Sequence, residues 1–151
     1  MATFHGTSAG DLILRHSISS GATSNPALGG TAAGLANIIY GYGGDDWIEA
    51  GDGGDTVYGG RGDDRILGGT GADYLSGGVG SDTLISGQNT TGELVILDGG
   101  SGADLMVGRS GQQFFVVDSD RDRVVDIGAA EGDEADTIIT NLPFYALTEG
   151  S

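Results

Sequence analysis

A nine-residue repeat occupies the middle of this chain and constrains its fold more than any other feature. Residues 41–85 contain five consecutive units without a gap: GYGGDDWIE, AGDGGDTVY, GGRGDDRIL, GGTGADYLS and GGVGSDTLI. Each unit has aspartate at its sixth position and an aliphatic residue at its eighth. A fixed short period is typical of solenoids, in which every unit stacks on its neighbours. The sixth-position residues are Asp46, Asp55, Asp64, Asp73 and Asp82.

Each unit predicts a turn followed by a three-residue strand. Glycines tolerate positive φ and let backbones approach closely, which suits a turn. The middle residue of each strand points inward and its two neighbours point outward. Two units make one 18-residue coil, so we expect an all-β, right-handed parallel β-roll with two sheets joined by turns at both edges. Its core is thin: burial at roughly 25 cal/mol per Å² does not offset the ordering entropy of so many glycines.

Weaker copies of the unit flank the regular block. Residues 32–40 keep the phase and place Asn37 at the sixth position. Residues 6–14 place Asp11 at that position, and a Ser/Gly/Ala/Asn/Pro-rich stretch predicted to be a loop separates them from the block. Residues 86–98 form a longer, 13-residue unit, after which Asp104 restores the motif. The predicted organisation is a degenerate repeat and loop over 1–31, a roll with an irregular insertion over 32–107, and a C-terminal β capping segment over 108–151.

Charge and composition indicate what stabilises so thin a core. The formal net charge is −16, with 22 acidic residues against six arginines and no lysine. Nucleic acid and anionic membranes are therefore disfavoured as partners, because phosphate contacts need a cationic face. The chain has no cysteine, which excludes disulfides and thiolate metal sites, and no apolar stretch long enough for a membrane span. A cation is the natural counterpart of this chain.

The spacing of the aspartates predicts where such cations bind. Residues 18 apart stack in neighbouring coils, about 4.8 Å from one another, so unneutralised carboxylates would repel strongly. A hard dication bound at about 2.3–2.6 Å to oxygens of both turns relieves this repulsion, with glycine carbonyls completing its shell. No cysteine or clustered histidine favours zinc or copper. Regular spacing favours calcium sites over a role in turn formation alone. One predicted ladder contains Asp46, Asp64, Asp82 and Asp104, and the other contains Asn37, Asp55 and Asp73.

These ladders predict ion positions between neighbouring rungs. The pairs are 46/64, 64/82 and 82/104 on one edge, with 55/73 on the other and a weaker 37/55 because Asn37 carries no charge. About four to five calcium ions would neutralise about eight to ten charges. Since the metal-free chain lacks this neutralisation, we expect metal binding and folding to be coupled.

The repeat resembles the RTX family of hemolysin-type calcium-binding repeats, whose consensus is GGxGxDxUx. The resemblance covers 41–85 and 99–107, and more weakly 6–14, where Asp11 is the corresponding ligand. It implies folding on extracellular calcium, type I secretion from a bacterium, and a place in a larger polypeptide. Tyr42 and Ala50 replace consensus glycines. The implied carbonyl ligands are those of Gly41, Gly43, Gly51, Gly53, Gly59, Gly60, Gly62, Gly68, Gly69, Gly71, Gly77, Gly78, Gly80, Gly99, Gly100 and Gly102.

Aromatic residues give a second interpretation. Tyr40 and Tyr58 hold the ninth position of alternate units and are expected to stack on one outer sheet face, with Tyr74 nearby. Such a ladder could bind a polysaccharide or a cell surface, or it could pack across strands and stiffen the sheet. Trp47 and Arg65 share the seventh position on the opposite sheet and could form a cation–π pair.

Three short motifs do not change the predicted function. GTSAG at 6–10 matches a nucleophile elbow, but nothing nearby supplies the core strand, acid and distant histidine of a hydrolase triad. RGD at 61–63 arises by coincidence in a repeat rich in glycine and aspartate. DSDRD at 118–122 lacks the glycine and glutamate of an EF-hand loop, so a solvated turn is favoured there over an additional weak cation contact. We expect a non-enzymatic structural, stabilising or spacer module, in preference to the C-terminal part of a secreted hydrolase or epimerase.

Overall fold

The part of the chain that the computed structural model describes is all-β. It comprises fifteen strands, and no helix occurs in the described residues. The described residues are 3–7, 12–14, 17–18, 23–25, 34–89, 92–127 and 136–140. Within them, no helix is long and apolar enough to cross a membrane.

The strands form two sheets. Sheet 1 has eight strands in the order β15-β13-β11-β9-β7-β5-β1-β4, and sheet 2 has seven in the order β14-β12-β10-β8-β6-β2-β3. From β5 onward the chain alternates between the sheets. The strands of sheet 1 are β1 (Thr3–His5), β4 (Thr23–Asn25), β5 (Ile38–Gly43), β7 (Thr56–Arg61), β9 (Tyr74–Gly80), β11 (Val95–Gly102), β13 (Gln113–Val117) and β15 (Thr137–Thr140). Those of sheet 2 are β2 (Leu12–Leu14), β3 (Ser17–Ile18), β6 (Trp47–Asp52), β8 (Arg65–Thr70), β10 (Thr83–Ile85), β12 (Leu105–Gly108) and β14 (Arg123–Asp126).

Strand register confirms the predicted parallel roll with its 18-residue coil. Val57 pairs with Ile39 of the preceding coil and with Leu75 of the following one. On sheet 2, Ile66 pairs with Ile48 of the preceding coil and with Leu84 of the following one. The regular part is a parallel β-solenoid of about five turns. The antiparallel pairs are β1 with β4 and β2 with β3, at the N-terminal end of the stack.

The 13-residue unit adds length without changing the phase. Leu97 pairs with Leu75 and Met106 pairs with Leu84, so the chain returns to the equivalent positions after one longer coil. The extra length is accommodated in the connection between β10 and β11. Both sheets therefore continue in register beyond the insertion.

The strands are longer than predicted. Most regular strands have six residues, because they include the first three positions of the following unit. Hydrogen bonding between coils continues through these glycines, as the pairing of Gly60 with Gly78 shows. Gly60 has φ +121°, and a Cβ there would overlap with the carbonyl oxygen of Tyr42. Close stacking of the backbones thus explains why glycine recurs.

The eighth-position side chains form the thin core between the sheets. Ile48, Val57, Ile66, Leu75 and Leu84 are completely buried. The core also includes Ala50 within the regular block, and it continues at both ends of the block with Phe4, Ile39, Val95, Leu97, Met106, Phe115 and Val117.

Parallel stacking extends past the ends of the regular repeat. At the C-terminal end, β13 and β15 pair in parallel on sheet 1 and β14 pairs in parallel on sheet 2. At the N-terminal end, β1 and β2 pair in parallel with β5 and β6. The predicted division at residues 31 and 107 stays a prediction, although the strand stack itself crosses both positions.

Candidate metal centre

The chain crosses between the two sheets at two edges, and each edge stacks sixth-position residues. On the first edge, where sheet 1 leads to sheet 2, Asp46 N–H donates to Asp64 Oδ1 at 2.8 Å. Asp64 N–H donates to Asp82 Oδ1 and Asp82 N–H donates to Asp104 Oδ1, both at 2.8 Å. The structure therefore places Asp104 beside Asp82, as the sequence predicts.

The second edge, where sheet 2 leads to sheet 1, has a shorter ladder. Asn37 N–H donates to Asp55 Oδ1 at 2.7 Å, and Asp55 N–H donates to Asp73 Oδ1 at 2.8 Å. The Asn37 side-chain amide also donates to Asp55 Oδ1, at 3.0 Å. The predicted membership of both ladders is thus found in the structure, while the role of these residues as metal ligands stays a prediction. Asp11 lies outside the described residues.

The second carboxylate oxygen of these aspartates is buried without a hydrogen-bond partner. This holds for Oδ2 of Asp55, Asp64, Asp73, Asp82 and Asp104. All five side chains are at most 2% exposed. A buried ionised carboxylate is strongly destabilising unless a charge or hydrogen-bond donors compensate it.

Burial raises the pKa of the ladder carboxylates well above the ordinary value of 3.8. Burial, and then the charges of Asp82, Asp46 and Asp45, raise the pKa of Asp64 to about 7. Burial, with smaller effects of Asp55 and Glu93, raises the pKa of Asp73 to about 7. The pKa values of Asp55, Asp82 and Asp104 rise to about 6, with burial again the first cause. The charged neighbours of these carboxyl groups are themselves acidic. A bound cation would therefore compensate the negative charge of the ionised carboxylates.

Glycines bring main-chain oxygens close to these carboxylates. A Cβ on Gly59 would overlap with Asp64 Oδ2 and would lie 2.7 Å from the carbonyl oxygen of Gly77 in the next coil. Gly77 is related in the same way to Asp82 Oδ2 and to the carbonyl of Gly99. A Cβ at Gly59 or Gly77 would therefore require the neighbouring ladder carboxylate to shift.

The available donors suit a hard cation. Carboxylate and carbonyl oxygens are the ligands that calcium prefers, usually six to eight of them. Among the described residues, no three His, Cys, Asp or Glu side chains converge on one point. A cation in the ladders would therefore need oxygen ligands besides these side chains, such as main-chain carbonyls and water. The glycine carbonyls predicted from the sequence fit this requirement, and they stay predicted ligands.

Asp122 is a ladder residue that the repeat pattern does not reveal. Asp104 N–H donates to Asp122 Oδ1 at 3.1 Å, which repeats the bond seen between earlier rungs. Asp122 Oδ2 accepts the N–H groups of Asp118 and Ser119 at 3.2 and 3.1 Å. The 18-residue interval from Asp104 to Asp122 is the one sequence feature that could have indicated this role. The segment around Asp122 lacks the glycine motif, however, and its residues favour a solvated turn.

The second edge has no aspartate at its sixth position in the two coils after Asp73, and Asp136 restores one in the coil that follows them. Ile96 pairs with Tyr74, so Val95 takes the sixth position in the next coil. Gln113, which pairs with Val95, takes it in the coil after that and donates its N–H to Asp136 Oδ1 at 2.8 Å. Neither Val95 nor Gln113 carries a charge.

Tyr42 is the only non-glycine with positive φ among the described residues. Its φ of +76° is the conformation that the consensus glycine would adopt at this position. A bulky residue is rarely found in this region of the Ramachandran plot. The His5 and Tyr40 rings stack on the Tyr42 ring at 5.7 and 5.9 Å, and its hydroxyl is 2.7 Å from His5 Nδ1. These contacts offset the strain of the substitution.

The predicted aromatic contacts are present. The Tyr40 and Tyr58 rings stack with centroids 5.2 Å apart and planes 10° apart, and Tyr74 lies 5.9 Å from Tyr58. On the opposite sheet, the Arg65 guanidinium carbon is 5.3 Å from the Trp47 ring centroid. The Tyr40 and Tyr58 rings direct their faces toward one another, which is the arrangement of cross-strand packing.

Fold and site together define a parallel β-solenoid whose turns stack oxygen ligands suited to a hard cation. The family model of the RTX calcium-binding nonapeptide repeat, present in four copies, matches residues 32–66, 58–89 and 95–112. These matches cover half of the chain, and the chain belongs to this family. Repeats of this family bind calcium and are typical of secreted bacterial proteins. No curated protein and no solved structure matches the chain.

Proposed function

We propose that this chain is a non-enzymatic β-roll that folds on binding extracellular calcium and serves as a stabilising or spacer module of a larger secreted bacterial protein. The observation that carries the proposal is the first-edge ladder of buried aspartates. Asp64 is 2% exposed, its Oδ2 has no hydrogen-bond partner, and the charges that act on it are all negative. A dication between rungs converts this repulsion into a stabilising interaction.

Coupled folding follows from the same geometry. Each predicted ion position joins two consecutive coils, so an ion stabilises the stacking of coils and not just one turn. The apolar core has one principal side chain for each strand, which is little for a roll of this length. About four to five calcium ions supply the remaining stabilisation, because binding to the folded state alone lowers its free energy.

A structural role is supported by the direction in which the repeated polar groups point. The buried aspartates of the roll are the ladder residues, and they are directed at their own neighbouring coils rather than at an open cleft. Arg61, Gly62 and Asp63 of the RGD sequence are part of the repeat, and Asp63 Oδ1 accepts the N–H of Ser81 in the next coil. Export through type I secretion belongs to the same proposal, on the basis of the family.

Polysaccharide binding by Tyr40, Tyr58 and Tyr74 is less well supported. A sugar ring packs on the face of an aromatic ring, whereas the Tyr40 and Tyr58 faces are stacked on each other. Tyr58 is 38% exposed. The stack therefore favours packing that stiffens sheet 1 as the role of these rings.

Circular dichroism tests coupled folding directly. Metal-free protein should give a largely unfolded spectrum in EGTA, and a titration over about 0.1–10 mM calcium should produce the β-rich spectrum cooperatively. Magnesium at the same concentrations is the control, since it prefers a smaller, octahedral and more hydrated site. An identical β-rich spectrum in EGTA and in calcium would overturn the coupling.

A further inference from the structure

Residues 108–116 form a degenerate copy of the repeat in which glutamine replaces the sixth-position aspartate. Their sequence is GRSGQQFFV, with Gly108 first and Gln113 sixth. Gln113 pairs with Val95 of the preceding coil, so it belongs to the second edge. The match to the family model ends at residue 112, just before this glutamine. The turn around Gln113 therefore lies outside the repeat that the family pattern describes.

The side chain of Gln113 is completely buried, and the orientation of its amide is defined. Its Nε2 donates to the carbonyl oxygens of Gly111 and Ser110 at 2.8 and 3.3 Å. Both partners are acceptors, so the NH₂ group faces them and the oxygen points elsewhere. Gln113 Oε1 is buried and has no hydrogen-bond partner among the described residues. A buried oxygen without a donor is destabilising, and it indicates a place for an electropositive ligand.

Gln113 Oε1 takes the place that the second carboxylate oxygen takes in the regular rungs. A Cβ on Gly59, the first residue of its unit, would overlap with Asp64 Oδ2. A Cβ on Gly108, the first residue of the degenerate unit, would lie 2.8 Å from Gln113 Oε1. The amide thus presents an oxygen at the same place in the turn, but without a negative charge.

Two carboxylates of the following coil supply the charge that Gln113 lacks. Asp126 pairs with Gly108 across sheet 2, and its Oδ1 would lie 3.5 Å from the same Cβ of Gly108. Gln113 N–H donates to Asp136 Oδ1 at 2.8 Å, the main-chain bond that joins the rungs of both ladders. Oxygens of two consecutive coils therefore meet at this turn, as they do in the regular rungs.

We propose that Gln113, Asp126 and Asp136 hold a further calcium ion at the second edge, between the coil of Gln113 and the coil that follows it. The inference rests on the proposed calcium function and adds a site in which one carboxylate stands where the repeat has a glycine. One amide oxygen and two carboxylates suit calcium, and main-chain carbonyls and water complete its shell. The two carboxylates balance the charge of the ion. Because Asp126 is exposed, this ion keeps more water and binds more weakly than one between two buried aspartates.

Counting bound ions in single and double variants tests this site. Asp126→Asn and Asp136→Asn each remove one charge and keep an oxygen at the same place. Native mass spectrometry and calorimetric titration, at the lowest calcium concentration that saturates the wild type, should give one ion fewer for either variant. The double variant should also lose one ion and not two, because both carboxylates belong to one site. Asp120→Asn, the same chemical change in an exposed turn, should keep the wild-type count.

The outcomes separate this inference from the function on which it rests, with circular dichroism in saturating calcium as the check that each variant is folded. A wild-type count for Asp126→Asn or Asp136→Asn would refute the site, leave the ladder sites intact and point to Arg109, next to Gly108, as the cation that compensates this turn. Loss of two ions in the double variant would refute a shared ion. The same loss of one ion in Asp120→Asn would show a general effect of charge and would also refute the site. A wild-type protein that binds no calcium would refute both the site and the proposed function.

Discussion

The two edges of the roll are built from the same repeat but end differently. The first edge has an unbroken series of aspartates from Asp46 to Asp122, with each rung bonded to the next through a main-chain N–H. The second edge begins at Asn37, has no charge at Val95 and Gln113, and regains an aspartate at Asp136. The strands of both sheets nevertheless stay in register along the roll. Stacking is therefore determined by the backbone and the core, while the predicted cation binding depends on the residue at each sixth position.

Asp64→Asn should have the largest effect, because it removes a charge from two of the four fully charged positions, 46/64 and 64/82. We expect the calcium midpoint for folding to rise at least about tenfold, equivalent to about 1.4 kcal/mol. Asp55→Asn should raise it less, since position 37/55 already has an uncharged member. Calcium titrations followed by circular dichroism measure both. Asp120→Asn, in an exposed turn, is the control. Equal midpoints for Asp64→Asn and Asp120→Asn would show that the first edge does not bind calcium.

The dependence on pH should reverse when calcium is present. The pKa of Asp64 and Asp73 is raised from 3.8 to about 7 in the metal-free fold, so this fold binds more protons than the unfolded chain in that interval. Its stability is therefore greatest below about pH 4 and falls as the pH rises toward 7. Calcium competes with these protons, so its affinity should increase over the same interval. Circular dichroism of metal-free protein at several pH values measures its folded fraction, and calcium titrations at the same pH values measure the affinity.

An increase in metal-free stability from pH 4 to 7 would contradict the burial of these carboxylates. A calcium affinity that does not change between pH 5 and 7 would show that the protonating groups are not the ligands. Because both edges contain a carboxyl with a pKa near 7, the effect should not be restricted to the first edge.

Asn37→Asp should give the smallest effect and the only gain. It adds a second carboxylate to position 37/55 and makes the start of the second edge resemble the first. Asn37 donates its side-chain amide to Asp55 Oδ1, a bond that aspartate cannot make, so the metal-free chain should be destabilised. In calcium, the midpoint should fall by about two- to threefold. Calcium titration of the variant beside the wild type measures the shift. A raised midpoint would mean that position 37/55 does not hold an ion.

Much of the fold was predictable because each nine-residue unit specifies its own turn and strand. A period of nine with an aliphatic residue at position eight defines the 18-residue coil, and Val57 pairs with Leu75 as that period requires. The placement of Asp104 was predictable for the same reason. Strand length was underestimated, because the hydrogen bonds of Gly60 and its equivalents depend on the neighbouring coil and are not visible in one unit.

Other features depended on contacts between distant residues. Asp122 belongs to the first edge only because β14 pairs in register with β12, and its segment has no glycine motif. Tyr42 tolerates a positive φ beside the rings of His5 and Tyr40, although His5 is distant in sequence.

The sequence by itself determined the parallel roll and the two aspartate ladders, since a repeated unit can satisfy its hydrogen bonds and bury its core residues only by stacking on copies of itself. It also determined the acidic character, which favours binding of a cation. The tertiary structure alone decided how far each ladder extends and what ends it. The physical reason is that a rung exists only where two coils bring their oxygens together, and that distance is set by stacking of the whole roll.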